Sequence, residues 1–384
     1  MKVEEDNIHV KKRKNKNSAY TKILKSAVDL FSKNWYETVS VSQICSNADV
    51  SNGTFYIYFH NKEELFKKLL QNFIEIVEEE FKYLKVVDIE DGLEEFLNTI
   101  HKIKKEYSKL ITIFREGQYR FPEFDRKIND IYKKSAEKIY KRELTLSEYI
   151  YFISGIRFLL IRSLYQNMPS DKEIVKKIIM NGFFEENLKI RSNLFKENFI
   201  IPFEINLENT RERLIQSGIE LFGKYGFFNT DIHDVAKNAG FSVGTFYIHF
   251  NSKTEFLSEI VRLIGKRTRW FISYNLDNGL NRAEKELQGL YLFLKFFENH
   301  SEYYYILREA EFIVNDVAQE YYDKYEEGYS KDLKEIKYPE IKIISNMLIG
   351  LSHYSGIEYI ILKRIENLEN YLLELAPLLL NGLK

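Results

Sequence analysis

The sequence is poor in residues that interrupt helices or cross-link chains. Its 384 residues include 1 cysteine, 5 prolines and 2 tryptophans. The lone Cys45 cannot close an internal disulfide, and so few prolines leave long stretches free of obligatory helix breaks. No run approaches the roughly 18 uninterrupted apolar residues of a membrane-spanning helix. Segments such as FLLIRSLY and PLLLNGL are short and soon interrupted, so a membrane protein is excluded. The N-terminus lacks a basic start followed by an apolar stretch and a small-residue cleavage site, and the cytoplasm is the expected compartment. Charge is balanced, with 56 Lys and Arg against 57 Asp and Glu for a net charge of -1. Affinity for nucleic acid would therefore have to come from a local basic surface. The 7 histidines show no metal-ligand spacing. Phosphate-binding loops, dinucleotide fingerprints and nucleophile elbows are missing as well. No metal, cofactor or catalytic residue is assigned, and the chain is not read as an enzyme.

Apolar residues are plentiful at 45%, and the length suits two or three domains. The chain repeats itself. SNGTFYIYFHNKEELF (Ser51 to Phe66) returns as SVGTFYIHFNSKTEFL (Ser242 to Leu257), an offset of 191 residues (Gly244 minus Gly53) that also aligns Leu30-Phe31 with Leu221-Phe222. Beyond it the register drifts while the likeness continues: Phe114-Arg115-Glu116 resembles Leu307-Arg308-Glu309, and Asn181-Gly182 resembles Asn381-Gly382. Each unit is far longer than a solenoid repeat and large enough for its own core. Two similar folded modules related by a pseudo-twofold are expected.

Within one module, Ile23, Leu24, Ala27, Val28, Leu30 and Phe31 recur at helical spacing and predict a first helix with one buried face. Ser40 and Gln43 form a capping-box pattern for a short second helix; Asp231 and Asp234 make a poorer box in the second copy. That helix should break where Gly240, or Asp49 or Asn47 at some cost, turns left-handed. A third short helix carries SNGTFYIYF, anchored by Phe55 and Phe59, and a fourth opens at Asn61 or Ser252 with a Glu at capping-box spacing. Two short helices across a tight turn, backed by a longer one, make a helix-turn-helix. Gly53 and Gly244 permit close approach of another backbone or of phosphates.

At these residues the chain resembles the tetracycline-repressor (TetR) family of transcription regulators, whose signature is present twice. Family members are usually single modules that homodimerise, so the resemblance implies an all-α chain of two tandem modules packed as an intramolecular pseudo-dimer. Pairing of two chains is left open. The expected parts are a basic arm over 1–17, helix-turn-helix domains over 18–66 and 208–257, helical effector and dimerisation domains over 67–185 and 258–384, and a connector over 186–207. Late helices near Ser147 to Asn167 and Glu340 to Arg364, with the closing segments, are the expected faces between modules. Trp35 departs from the pattern, standing where the second copy has Gly226.

The resemblance further implies binding of double-stranded DNA, with the third helices in successive major grooves roughly 34 to 36 Å apart. By motif position, Thr54, Tyr56, Lys62, Thr245, Tyr247 and Lys253 would hold phosphates. Base edges would be read by Ser51, Asn52 and Tyr58 in one module and by Ser242, Val243 and His249 in the other, with Ser42 and His233 contributing from the second helices. Asn52 can pair bidentately with adenine whereas Val243 offers only apolar contact. An imperfect palindrome with unlike half-sites follows. Lys11, Lys12, Arg13, Lys14 and Lys16 form either a solvated tail or an arm tracking the minor groove or phosphates. The implied function is a repressor released by a small, largely apolar effector; no pocket residue is assigned. A second reading keeps the fold without the pocket, as an architectural or adaptor protein controlled by protein contact. An apolar cavity in each helical domain favours the regulator, and solid domains favour the adaptor.

Overall fold

The apolar stripe of the first module folds as α1 (Ala19–Phe31), burying Ile23, Leu24, Ala27 and Phe31. The computed structural model describes residues 19–384 except 170, 186–187, 192, 202, 204–207 and 332–334. The basic run Lys11, Lys12, Arg13, Lys14 and Lys16 lies outside the described residues. After α1 come α2 (Val41–Asn47), α3 (Asn52–Tyr58), α4 (Lys62–Lys82), α5 (Ile89–Arg120) and α6 (Pro122–Tyr140). The chain divides into two units, the first ending at Ile139 and the second running from Tyr140 to Lys384.

Caps predicted from sequence are in place. Ser40 and Gln43 close a reciprocal capping box on α2, with the Ser40 amide 2.7 Å from Gln43 Oε1. Asn61 Oδ1 accepts from the Glu64 amide at 2.8 Å to start α4. Each cap satisfies amides that the first helical turn leaves unbonded. In α5 the backbone breaks locally at Tyr107, with φ -129° and ψ 29°.

The second unit begins with two helices that the sequence repeat assigns to the first module, α7 (Leu146–Tyr165) and α8 (Lys172–Asn181). It continues with α9 (Thr210–Tyr225), α10 (Ile232–Asn238), α11 (Val243–His249), α12 (Lys253–Asn275), α13 (Arg282–Asn299), α14 (Ser301–Ile313), α15 (Asn315–Tyr329), α16 (Ile341–Gly356) and α17 (Leu368–Asn381). No strand occurs among the described residues; Phe184 and Ile336 form an isolated bridge. The break at Tyr107 recurs at His300 (φ -135°, ψ 56°), where it separates α13 from α14.

Inside this unit α7 packs along α16, and α8 lies against α17. The crossing is tight at Gly350, where a Cβ would stand 2.6 Å from Phe158 Cβ and 2.8 Å from the Ser154 carbonyl. The helix ends pair reciprocally. Phe183 N–H donates to the Leu379 carbonyl at 2.7 Å, and Leu383 N–H donates to the Ile179 carbonyl at 2.8 Å. Exchanging the two modules by 200 residues, Phe183 for Leu383 and Leu379 for Ile179, turns one bond into the other, as a twofold-like interface demands. Gly182 and Gly382 make the approach feasible, at φ 79° and 74°. A buried Arg162 on α7 adds a polar tie. Its Nη1 donates to Gln319 Oε1 at 2.6 Å, its Nε to Asn346 Oδ1 at 3.2 Å, and its Nη2 pairs with Asp323. A buried guanidinium needs such partners, because unpaired it would cost several kcal/mol, about 3 or more. The predicted inter-module faces on the late helices are thus in contact.

Candidate nucleic-acid interface

Each head sets its third helix with the same hardware. Ser26, buried on α1, donates to the Ile44 carbonyl at 2.7 Å and accepts from Asn47 Nδ2 at 3.1 Å. In the second unit Ser217 donates to the Val235 carbonyl at 2.8 Å and accepts from Asn238 Nδ2 at 3.1 Å. These bonds fix the second helix on the first. The following turn is a Schellman motif in both heads: Val50 N–H to the Cys45 carbonyl (3.1 Å) with Asp49 N–H to Ser46 (3.2 Å), and Phe241 N–H to Ala236 (2.8 Å) with Gly240 N–H to Lys237 (3.0 Å). Its left-handed residue is Asp49 at φ 53° and Gly240 at φ 79°. Phe55 and Phe59, and Phe246 and Phe250, then bury one face of the third helix.

The opposite face is exposed. Asn52, Gly53, Tyr56 and Tyr58 stand out on α3, as do Gly244 and Tyr247 on α11, while Val243 and His249 are half-buried. Ser42 and His233 are exposed on the second helices, beside these surfaces in sequence order. Ser51 and Ser242 are the N-caps, accepting from the Thr54 and Thr245 amides at 3.1 and 3.2 Å. Their hydroxyls also bond the Thr54 and Thr245 hydroxyls at 2.9 and 3.0 Å. Capping therefore engages both serines and both threonines before any ligand arrives. Tyr58 packs edge-on against Tyr20, with ring centroids 5.5 Å apart.

Lys62 and Lys253 sit deeper than motif position suggests. Lys62 Nζ donates to the Tyr36 carbonyl at 2.8 Å and lies 4.1 Å from the Tyr36 ring centroid; Lys253 Nζ lies 4.2 Å from that of Phe227. Burial lowers the pKa of both ammonium groups. They brace the turn after the first helix from inside. The same turn is held from the other side by a carboxylate. Glu116 on α5 accepts from the Tyr36 amide at 3.0 and 3.2 Å, and Glu309 on α14 accepts from the Phe227 amide at 2.8 Å. Burial pushes the Glu116 carboxyl up to about 7, against the opposing pull of Arg120 and the Tyr36 amide. Trp35, in extended backbone at φ -59°, carries Arg120 over its ring at 5.1 Å, where Gly226 takes φ 80°. The arginines closest to head two in sequence are engaged internally. Arg211 pairs with Glu259, and Arg213 donates to the Ala239 carbonyl at 2.7 Å.

Residues 23–69 and 214–260 both match the tetR family of bacterial regulatory proteins. Each of the two heads belongs to this family. The family's helix-turn-helix DNA-binding domain occurs in the chain twice, in tandem. Curated relatives of the tetR heads include the fatty acid metabolism regulator protein of Bacillus subtilis (41% identity over 73 residues, 18% of this chain and 38% of the relative). Another is DhaS of Lactococcus lactis, an activator of the dhaKLM operon (39% over 62 residues, 16% and 33%). The chain thus spans 38% and 33% of the length of these two relatives. Among solved structures, FadR of Bacillus halodurans matches with a TM-score of 0.38 at 19% identity, covering 46% of this chain and 96% of that one. FadR of Bacillus subtilis, in complex with stearoyl-CoA, matches with a TM-score of 0.39 at 16% identity, covering 45% and 98%.

Both tetR-family heads also present an apolar residue that the motif reading passed over. Ile57 is 76% exposed and Ile248 79% exposed. Two residues at 100° each place Ile57 about 200° around the helix from Phe55. An isoleucine opposite the anchoring face, in both copies, was the available signal. Among the described residues no cluster of three or more His, Cys, Asp or Glu is arranged to hold a metal. No described helix is long and apolar enough to cross a membrane.

Proposed function

We propose that this chain is a repressor that occupies one duplex with both heads and leaves it when a small molecule binds. The observation that carries the reading is the recurrence of one outward surface on α3 and α11: Tyr56 with Tyr247, Ile57 with Ile248, and the first residue of the helix, the exposed Asn52 or the half-buried Val243. Tyr56, Tyr247 and the half-buried Thr54 and Thr245 hold phosphates, with the backbone approaching closely at Gly53 and Gly244. Asn52 reads an adenine edge, and Val243 and the two isoleucines contact thymine methyls. Tyr58, His249, Ser42 and His233 extend the footprint. Lys62 and Lys253 act mainly by fixing the turn that presents these groups. The basic arm, 1–17, adds phosphate contacts to head one.

Fusion of the modules supports a pseudo-dimer, since the α7–α8 and α16–α17 pairs occupy the place that two subunits would share. The effector half of the reading is supported by a cavity of about 410 Å³ in the second unit, bounded by α12 to α16. That volume lies within the range of small-molecule sites, about 300 to 1,000 Å³. It meets the expectation of a cavity for one of the two helical domains, and on that count supports the regulator over an adaptor without a pocket. Selection of bound sites from random duplex DNA tests the proposal. An imperfect palindrome with unlike half-sites is expected; no enriched sequence would overturn it, and two identical halves would overturn the division of readers between Asn52 and Val243.

A further inference from the structure

The face between α7 and α16 has a twofold-like backbone and an asymmetric charge. Gly350 minus Gly155 sets an offset of 195 for these two helices. It maps Phe158 on His353, and their rings meet with centroids 5.7 Å apart, as a residue and its own counterpart do on a twofold axis. Packing is close at both glycines. A Cβ at Gly155 would stand 2.9 Å from Met347, and one at Gly350 2.6 Å from Phe158.

Arg162 breaks this symmetry. By the same offset its counterpart is Ile357, an apolar residue. The guanidinium is 1% exposed, and Gln319, Asp323, Glu326 and Asn346, which hold it, all belong to module two. Module one does not carry the same set. Glu309 minus Glu116 sets an offset of 193 over the middle of the repeat, which also maps Pro122, the first residue of α6, on Asn315, the first of α15. At the places of Gln319 and Glu326 it has Arg126 and Lys133, and Asp130 alone keeps its charge, at the place of Asp323. Tyr151 stands at the place of Asn346, and its hydroxyl donates to the Ile178 carbonyl at 2.7 Å.

We infer that this face selects its partner by kind: module one pairs with module two and refuses a second module one, and Arg162 makes the distinction. If another module one took the place of module two, the repeat would set Arg162 among two further cations and one carboxylate. A buried cation stripped of its partners is strongly unfavourable. Pairing of two second modules fails for the opposite reason. Ile357 brings no donor to the buried oxygens of Gln319 and Asn346 that Arg162 satisfies. Attraction to the right partner and repulsion of the wrong one thus act at one position. Two chains of this protein can then join only by exchanging modules, and every pair carries one copy of each head. The inference goes beyond the repressor reading and does not need it, since neither DNA nor effector enters its test.

The test frees the modules from their tether after folding. A protease site inserted at 186–187, ahead of connector residues such as Phe199, which packs on Phe271 of α12 and Tyr291 of α13, cuts the full chain into two parts of different mass. Native mass spectrometry then counts the pairs present at equilibrium. Mixed pairs should outnumber pairs of two first modules by more than about 100-fold. Arg126→Gln with Lys133→Glu copies α15 at two places and touches none of the groups that hold Arg162 in the mixed pair. Pairs of two first modules should then rise at least about tenfold. Arg162→Met, which removes the buried cation, should raise them too, and keeps the test open if the double variant does not fold. Loss of stability alone would lower all pairs together, so the ratio is the readout. A statistical mixture from the parent, separation of the cut chain into single modules, or an unchanged fraction of like pairs in either folded variant would each contradict selection by Arg162.

Discussion

The turn between α2 and α3 and the turn between α10 and α11 make the same two hydrogen bonds, yet one closes on Asp49 and the other on Gly240. The comparison separates what each head must keep from what it can change. Backbone geometry that aims the third helix is duplicated bond for bond: the Ser26 and Ser217 ties, the Ser51 and Ser242 caps, and the Glu116 and Glu309 struts. Side chains around that frame diverge. Head one braces its strut with Arg120, stacked on Trp35 and paired with Glu37 at 2.7 Å; head two has Ile313 at the position of Arg120 and relies on Gly226. The modules also differ at depth, where Phe96 packs against Phe81 and Tyr132 while a Cβ at Gly289 would meet nothing within 4 Å.

The largest expected effect probes what should be equal. At Gly182 a Cβ would stand 2.6 Å from the Leu379 carbonyl oxygen, and at Gly382 2.2 Å from the Met180 carbonyl carbon. Gly182→Ala and Gly382→Ala each combine a positive φ with a backbone clash, and each should destabilise the second unit by on the order of 4 kcal/mol in urea unfolding. A large difference between the two would break the pseudo-twofold.

Next comes a pH effect belonging to module one. The folded-state value of Glu116, about 7, lies above its ordinary 4.5, so the native chain holds the proton more tightly than the unfolded chain. Stability contributed by this group is present at low pH and is lost as pH rises through about 7. The limiting size is about 3 kcal/mol, from roughly 1.36 kcal/mol per pKa unit. Glu116→Gln should flatten the difference in unfolding midpoint between pH 5 and pH 8; an unchanged slope would mean another group titrates.

Smaller effects refine the comparison at the surface. Asn52→Val makes head one like head two and should relax discrimination at one base pair by about 2 kcal/mol, read as a competition ratio between adenine and other bases at that position. Asp49→Gly copies Gly240 and should stabilise head one by about 1 kcal/mol in thermal unfolding, by removing the left-handed penalty.

Much of this was legible in the sequence because it depends on local chemistry. Capping at Ser40, Asn61 and Ser252, the left-handed turn at Asp49 or Gly240, and the Phe55 and Phe59 anchors all act over four residues or fewer. The late helices near Ser147 and Glu340 were readable as inter-module faces from the repeat itself. What escaped depends on distant neighbours. The inward turn of Lys62 follows from the Tyr36 carbonyl, 26 residues earlier. The Arg-Glu pair was seen to recur, but its partner is an amide 80 residues away in chain order. Gly289, alone in a helix, reads as a mere weakening of that helix; only the surrounding walls make it a cavity.

The central claim is that one chain supplies both readers of one site. Light scattering of the chain bound to a duplex carrying its selected sequence measures this directly. One chain per duplex is the predicted result, and two chains per duplex would contradict it by showing that the duplicated modules pair between chains rather than within one.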